Sequence, residues 1–491
     1  HEPVTDLHVG VISTSLGGHG SDSCGPDSAC GANTSTSTND RAHLLDRRDP
    51  CAADVVPTYE GRGFLAWDPE ARLSPPGEPT LGSASGGTGL LGALSDLIEG
   101  VGTLGCSFEA QHESWYRFLV DPEPYESIPL DSSGRATPTG TDAELLAQRA
   151  AFLRPDSLLL IVVLSDEDDC SIREYGQFYF VAQARTGSGA TFHLPAPRTE
   201  CATNPNDPCC LSCGQSPGSC PADPTCRDAG GRTRYLPDLD DALAVRCLDN
   251  KRRFGIDFLY PMDRYVTGLT ASTVPNRAGE LVASPIFSDL DPSDDRTHIR
   301  SARDVVLATI VGVPWQDLAL SPTDISQGLV DSGSISWDVI LANGSSPTDA
   351  HMIASIEPRA GLAPPGSPAG TDPIHGHEYT ISQRDDLQYA CTFPLPAARD
   401  CSTGAESSCD CEDPANDRPN CEGPGATGAR TLQSGAAAYP GTRHLTLARG
   451  LGQNAVVAPI CAAQTSDPLS LGHGHRPAVD AILRRIATIL P

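Results

Sequence analysis

The chain has 491 residues, with 63 acidic against 34 basic side chains and a formal net charge of −29. A charge of this sign repels nucleic acid and anionic membrane surfaces, and no Lys/Arg-rich patch offsets it, which argues against nucleic-acid binding. The length is sufficient for a large core, and no apolar run reaches the roughly 18 residues that indicate a transmembrane helix.

The 18 cysteines form three groups along the chain, each with an even number of members. Four lie between Cys24 and Cys106, eight between Cys170 and Cys247, and six between Cys391 and Cys461. Even numbers favour pairing in an oxidising compartment, with local pairing inside each group and the connectivity left open. The cysteines therefore predict an extracellular, cell-surface or periplasmic protein.

Four short apolar runs predict strands that are buried on both faces: residues 7–13, 158–164, 305–313 and 455–460. Amphipathic patterns predict helices over residues 90–101, after a capping box at Thr141 and Glu144, from near Pro261, and from Pro477. Strands that alternate with helices predict an α/β fold with a doubly wound, mostly parallel, Rossmann-like sheet.

Two insertions interrupt this pattern, at residues 170–255 and 361–450. Their cysteine-rich parts, residues 196–234 and 398–430, have no hydrophobic periodicity, so disulfides are expected to order them. Strand-like and helical segments occur before and after each insertion. We therefore expect residues 1–491 to form a single elaborated domain with disulfide-stapled insertions.

The order of four motifs carries a family resemblance. LHVGVISTS comes first, then a strand ending in LSDEDD, then VVLATIVGVP, and finally VVAPICAA before a closing amphipathic helix. This set resembles the von Willebrand factor A domain, in the cysteine-rich version of secreted bacterial proteins of myxobacterial type, in which a DEDDCS-like element recurs. The resemblance implies an A-type doubly wound sheet.

The resemblance also implies a divalent cation at the carboxyl ends of the strands. The family binds it through a DxSxS loop after the first strand, a threonine from a second loop and an aspartate after the fourth strand. Asp166 matches that aspartate, Ser107 in LGCSFEAQ stands near the place of the threonine, and Asp168 is a further candidate. Oxygen ligands at strand ends suit Mg²⁺ or Ca²⁺. The alternative is a solvated loop whose carboxylates lie near a helix N-terminus.

The DxSxS loop and the first strand of the family are absent from this sequence, and His1 stands about where the stretch after them would continue. In the family's strand order, the first strand lies between the strands matched here by residues 7–13 and 158–164. Without it, buried backbone groups would lie unpaired, at about 1–3 kcal/mol each. We expect an upstream fragment of the same gene product, or a partner chain, to supply a strand there.

Two other patterns are weaker metal candidates. Acidic and hydroxyl side chains alternate in SDLDPSDDR, as in a calcium loop: Asp289, Asp291, Ser293 and Asp295. Asp294 and Arg300 stand where an EF-hand has glycine and glutamate, which favours a generic acidic loop. Two His-Gly-His elements, at residues 375–377 and 473–475, fit either a zinc or copper site or ordinary loops.

No catalytic motif is supported by its context. Residues 214–218 read GQSPG, which matches the pattern of a nucleophile elbow, but they lie between cysteines rather than between a strand and a helix. We therefore expect a secreted or cell-surface protein of binding or adhesion type that engages another protein or a surface polymer. The alternatives are a structural subunit of an extracellular assembly, and an extracellular hydrolase whose catalytic residues converge from the insertions.

Overall fold

A computed structural model describes residues 4–19, 21, 39–52, 54–102, 105, 108–132, 134–294, 296–342, 346–368, 370–403, 409–422 and 430–490. The strands are β1 (Leu7–Gly10), β2 (Phe64–Trp67), β3 (Leu159–Leu164), β4 (Thr273–Pro275), β5 (Leu281–Ala283), β6 (Val305–Val311), β7 (Cys391–Asp400), β8 (Cys421–Glu422), β9 (Leu432–Ala438) and β10 (Ala455–Pro459). The helices are α1 (Gly89–Glu99), α2 (Gln111–Leu119), α3 (Ala143–Phe152), α4 (Gln177–Val181), α5 (Glu200–Thr203), α6 (Asn250–Phe254), α7 (Met262–Thr270), α8 (Trp337–Ile340), α9 (Thr442–Leu451) and α10 (Arg476–Ala487).

A parallel sheet of three strands, in the order β10-β6-β3, forms the centre of the fold. Leu159 pairs with Val305 at one interface, and Ala455 pairs with Leu307 at the other. Every residue of β6 is buried, as expected of an apolar, β-branched strand that is covered on both faces. Three of the predicted strands are thus confirmed, and the fold is a mixed α/β fold around a parallel sheet.

Alternate residues of β6 point into two different cores. Val305 and Leu307 join a core built with α2 and α7, whereas Val306, Ala308 and Ile310 join a core built with α9 and α10. This alternation follows from the two-residue period of a strand. The sheet is therefore sandwiched between helical layers at its middle strand.

The first predicted strand has a different partner from the one expected. The sequence places residues 7–13 in the parallel sheet, but β1 pairs antiparallel with β2 in a separate two-stranded sheet, where Leu7 faces Trp67. The ring of His8 packs 4.6 Å from the ring of Phe64. β1 is only partly buried, which fits a peripheral strand better than a central one.

Seven disulfides lie in the described part of the chain, and all join cysteines of the same predicted group. They are Cys170–Cys247, Cys201–Cys210, Cys209–Cys220, Cys213–Cys226, Cys391–Cys461, Cys401–Cys409 and Cys411–Cys421. Local pairing is confirmed for the second and third groups. Disulfides in this number indicate an oxidising, non-cytoplasmic compartment.

The predicted helices are present, with one change at a helix start. Asp142, rather than Thr141, caps α3, because its carboxylate accepts a hydrogen bond from the backbone N–H of Leu145 at 3.1 Å. Among the described residues, no helix combines the length and the apolar character needed to cross a membrane.

Candidate functional site

A groove runs along β3 on the side away from β6. The whole of β3 forms one wall, residues 10–14 contribute to the opposite wall, and side chains of α2, among them Trp115 and Phe118, line the space between them. The groove holds a cavity of about 170 Å³, comparable to the roughly 150 Å³ apolar cavity that admits benzene in an engineered protein. A mostly apolar side chain of moderate size therefore fits between the two walls.

The wall opposite β3 is fixed by hydrogen bonds to the rest of the fold. Leu45 N donates to Val11 O at 2.9 Å, and Ala110 N donates to Thr14 O at 3.2 Å. These backbone oxygens are engaged outside the groove. The groups that can hydrogen-bond within the groove include the backbone of the β3 edge and the side chain of Gln111, whose Oε1 is buried and has no hydrogen-bond partner among the described residues.

β3 is buried on one face only. Leu159, Ile161 and Val163 belong to the core with α2, whereas Val162 is 49% exposed and Leu164 is 60% exposed. Among the described strands, only β6 pairs with β3. An apolar edge strand of this kind offers both unpaired backbone groups and uncovered side chains to an added strand.

Four carboxylates follow β3, and two of them hold the ends of helices. Asp168 accepts hydrogen bonds from Thr442 Oγ1 at 2.7 Å and from the backbone N–H of Arg443 at 2.8 Å, at the start of α9. Asp169 accepts one from the backbone N–H of His112 at 2.9 Å, at the start of α2. Negative charge at a helix N-terminus is favourable, so these two side chains serve the fold.

The buried Asp169 stays ionised because Arg443 is cationic and because His112 N and Ser171 Oγ donate hydrogen bonds to it. Burial alone would raise its pKa, but His112 and the guanidinium of Arg443, 2.9 Å away, hold that pKa well below its usual range. Ser171 adds a hydrogen bond from its hydroxyl at 2.6 Å. The start of α9 is thus tied to the end of β3 by charge.

The other two carboxylates, Asp166 and Glu167, point outward. Although both are exposed in part to solvent, desolvation by the surrounding protein, followed by the charges of Glu109 and Asp166, raises the pKa of Glu167 to about 8. Burial and then Asp166 raise the pKa of Glu109 to about 7. Carboxylates that repel one another in this way would favour a cation beside them.

The residues predicted as metal ligands are not gathered into one group in the described part of the chain. Asp168 has both carboxylate oxygens engaged at the start of α9, and Ser107 and Asp295 lie outside the described residues. In the acidic loop, Asp289 and Asp291 accept hydrogen bonds from backbone N–H groups two residues further on. The metal site predicted at the strand ends and the one predicted in this acidic loop both stay predictions.

The structure contains one cluster of possible metal ligands that the sequence analysis did not predict as a group. Among the described residues, a single group of His, Cys, Asp or Glu side chains has three ligand atoms that all lie within 4.8 Å of one another, and it consists of His351, Asp372 and His375. The His-Gly-His motif drew attention to His375 but not to its partners. Its neighbour His377 instead contacts the backbone oxygen of Glu378 at 2.6 Å.

Comparison with known proteins yields no match, whether to protein-family models, to curated proteins or to solved structures. The groove along β3, the acidic strand end and the histidine cluster are therefore the features from which function can be inferred.

Proposed function

We propose that this protein is a secreted or cell-surface binding protein of von Willebrand factor A type, which engages another polypeptide by accepting an extended strand against β3. The observation that carries the proposal is the open groove, with its unpaired β3 edge. The disulfides support the location, because they place the chain in an oxidising compartment.

The groove favours binding over catalysis. Its described lining is aliphatic and aromatic apart from Thr14, Gln111 and Ser114, and it contains no histidine, cysteine or carboxylate. A hydrolase site would need such groups within hydrogen-bonding reach of each other. A structural subunit of an assembly would use the same edge, so it differs from the first proposal in partner rather than in mechanism.

The chemistry of the lining defines the partner segment. It is extended, rich in alternating apolar residues and uncharged where it faces α2. Its backbone would pair with β3, and its side chains would cover Val162 and Leu164. Since these two residues are 49% and 60% exposed, their complete burial would contribute on the order of 1 kcal/mol each. An upstream fragment of the same gene product and a strand from a partner chain both meet this description.

The Mg²⁺ or Ca²⁺ predicted at the strand ends would depend on the same segment. The described residues offer Asp166, whose charge raises the pKa of Glu109 and of Glu167, but they do not form a complete ligand set. A strand added parallel to β3 would end beside Asp166 and could bring further oxygen ligands.

Native mass spectrometry of the natively purified protein tests the proposal, with denaturing mass spectrometry to identify any second polypeptide. Val162→Lys places a charge in the groove, and Leu281→Lys is the matched control, because Leu281 is an aliphatic strand residue that is 71% exposed outside the groove. We expect a second polypeptide to accompany the wild type and the control, and to be lost from Val162→Lys.

A synthetic peptide gives an independent measurement. The sequence VVLATIV of β6 already pairs with β3 on its other side, so a fluorescent, lysine-flanked copy is a suitable probe. Chain freed of any partner should bind this probe, and Val162→Lys should weaken binding at least tenfold relative to Leu281→Lys. A chain that is alone as purified and binds the probe equally in both variants would contradict the proposal.

A further inference from the structure

The segment from residue 353 to residue 390 contains no described helix or strand, and it lies between the 3-10 turn Ala350–Met352 and β7. Long irregular segments inside a folded domain are uncommon and are often functional. No cysteine occurs within these residues, so disulfides do not order the segment from inside. Polar side chains interact within the segment instead. Asp372 and His375 of the segment, together with His351 just before it, form one group of possible metal ligands.

The three side chains converge at distances suited to a metal ion. Nε2 of His351 lies 3.1 Å from Oδ2 of Asp372, and Nδ1 of His375 lies 3.4 Å from the same oxygen. Around a tetrahedral zinc ion with bonds of about 2.0–2.1 Å, neighbouring ligand atoms are about 3.3 Å apart. The two rings are nearly perpendicular, with centroids 4.7 Å apart.

Both histidines are oriented by a carboxylate behind the ring. Nδ1 of His351 lies 2.7 Å from Oδ1 of Asp349, and Nε2 of His375 lies 2.7 Å from Oε1 of Glu378. When each of these nitrogens donates its proton to the carboxylate, the other ring nitrogen presents a lone pair to Asp372. Metal-binding histidines are held in this way in most proteins.

One buried atom of the cluster lacks a hydrogen-bond partner. Nδ1 of His375 is buried and makes no hydrogen bond among the described residues, and the whole His375 side chain is 0% exposed. Its nearest charged neighbour is an oxygen of Asp372, which is also an acceptor. Two acceptors that face each other in a buried site require a proton or a cation between them.

The charges around the cluster leave room for a divalent ion. The guanidinium of Arg359 pairs with Glu378 at 2.8 Å, whereas the carboxylates of Asp349 and Asp372 contact His351. Two negative charges therefore remain beside the two imidazoles. Uncompensated charge is costly in a buried site, and it is balanced either by protons on the imidazoles or by one divalent cation.

We infer that His351, Asp372 and His375 bind a divalent transition-metal ion, with zinc as the preferred ion. Two imidazoles and one carboxylate favour zinc over Ca²⁺ and Mg²⁺, which take mainly oxygen ligands. The Asp372 side chain is 12% exposed, so a water molecule can reach a fourth position from that side. None of the three residues lines the β3 groove, so this inference is independent of the proposed function.

The first experiment uses the whole chain after removal of metal by a chelator. Titration with Co²⁺, as the spectroscopic probe, should give one equivalent of tight binding and the visible absorption of a low-symmetry nitrogen and oxygen site. Zn²⁺ should displace the cobalt and raise the Tm in a concentration-dependent manner. No cobalt spectrum and no zinc-dependent Tm in the wild type would overturn the inference, and would leave protonated imidazoles as the source of charge balance.

Variants then assign the site. Asp372→Asn keeps the size of a ligand and removes its charge, and His375→Ala removes a ring; each should weaken zinc binding at least 100-fold. His377→Ala is the matched control, because His377 is 2% exposed in the same turn and its Nδ1 contacts a backbone oxygen rather than Asp372 or His351. Equal zinc affinity in His375→Ala, Asp372→Asn and wild type would refute the assignment. If His375→Ala does not fold, Asp372→Asn decides.

A second control tests whether zinc binds instead at the other His-Gly-His element, which is more exposed. His473 and His475 form the other His-Gly-His element, where they contact Gln464 and the backbone oxygen of Ile460. The double variant His473→Ala/His475→Ala should keep the tight equivalent of zinc. Loss of zinc from this variant would move the site to the surface element and overturn the inference.

Discussion

The two edge strands of the central sheet, β10 and β3, differ in how completely the rest of the fold covers them. All five residues of β10 are buried, and both α9 and α10 pack into the core that contains them. β3 is covered on one face and exposes Val162 and Leu164 on the other. Because helices of the same chain cover β10, the exposure of β3 is a property of that edge alone and does not reflect a lack of covering helices in the fold as a whole.

The β10 edge is also reinforced by covalent structure. Cys461, just after β10, forms a disulfide with Cys391 at the start of β7. In α10, Ala478, Ala481 and Ile482 are buried against the sheet. The β3 edge faces a groove instead, and in the proposed function this is the edge that accepts the added strand.

Matched substitutions at the two edges should give the largest difference. Val457 of β10 is 2% exposed, so Val457→Asp buries an unpaired charge and is expected to lower the free energy of unfolding by about 5 kcal/mol. Val162→Asp places the same charge in solvent and should cost less than about 1 kcal/mol. Chemical denaturation of the chain freed of any partner measures both. Similar losses at the two sites would contradict the proposed openness of β3.

The central strands were predictable because their apolar runs are continuous. The predicted segments 158–164, 305–313 and 455–460 contain the observed β3, β6 and β10. β6 and β10 are covered on both faces, as such runs predict, whereas β3 is covered on one face only. The partner of β1 was not predictable, because its pairing depends on packing against Phe64 rather than on its own pattern.

Helix α2 was missed for a related reason. Its sequence, QHESWYRFL, is rich in polar residues, yet all nine are buried. Glu113 pairs with Arg264 at 2.8 Å and Arg117 pairs with Asp142 at 3.2 Å, partners that are distant in the sequence or belong to another helix. The histidine cluster was missed likewise, because irregular backbone brings its members together. The position of the four carboxylates directly after β3 was predictable, because they follow a continuous apolar run in the sequence. Their role as ligands stays a prediction, based on the tendency of ligands to bind at the carboxyl ends of parallel strands.

Removal of the Cys391–Cys461 disulfide should have the second largest effect. Its cysteines are 70 residues apart, and loop closure over that separation corresponds to about 4.5 kcal/mol. The control is Cys401–Cys409, with a separation of 8 residues and an estimate of about 2.5 kcal/mol. Paired Cys→Ser variants should therefore differ by about 2 kcal/mol in the free energy of unfolding. Equal losses would show that the long disulfide does not reinforce the β10 edge.

The smallest expected effect concerns acidification. Burial, and then Arg154, lowers the pKa of His8 in β1 to about 4, and burial lowers the pKa of His112 in α2 to about 3. Both histidines belong to elements around the groove, whereas β10 and α10 contain no histidine. Protonation should therefore weaken the open side of the sheet and spare the closed side.

The sign follows from proton uptake. Between about pH 6.5 and pH 4 the unfolded imidazole binds a proton and the folded one does not, so stability falls as the pH falls through this window. For His8 the loss from pH 7 to pH 5 should be on the order of 1–2 kcal/mol. His8→Phe keeps an aromatic ring beside Phe64 and should reduce this pH dependence. Hydrogen exchange, corrected for the intrinsic rate, should show lost protection in β1 and α2 before β10. Earlier loss in β10 would reverse the comparison between the edges, because the β3 side would then be the more robust one.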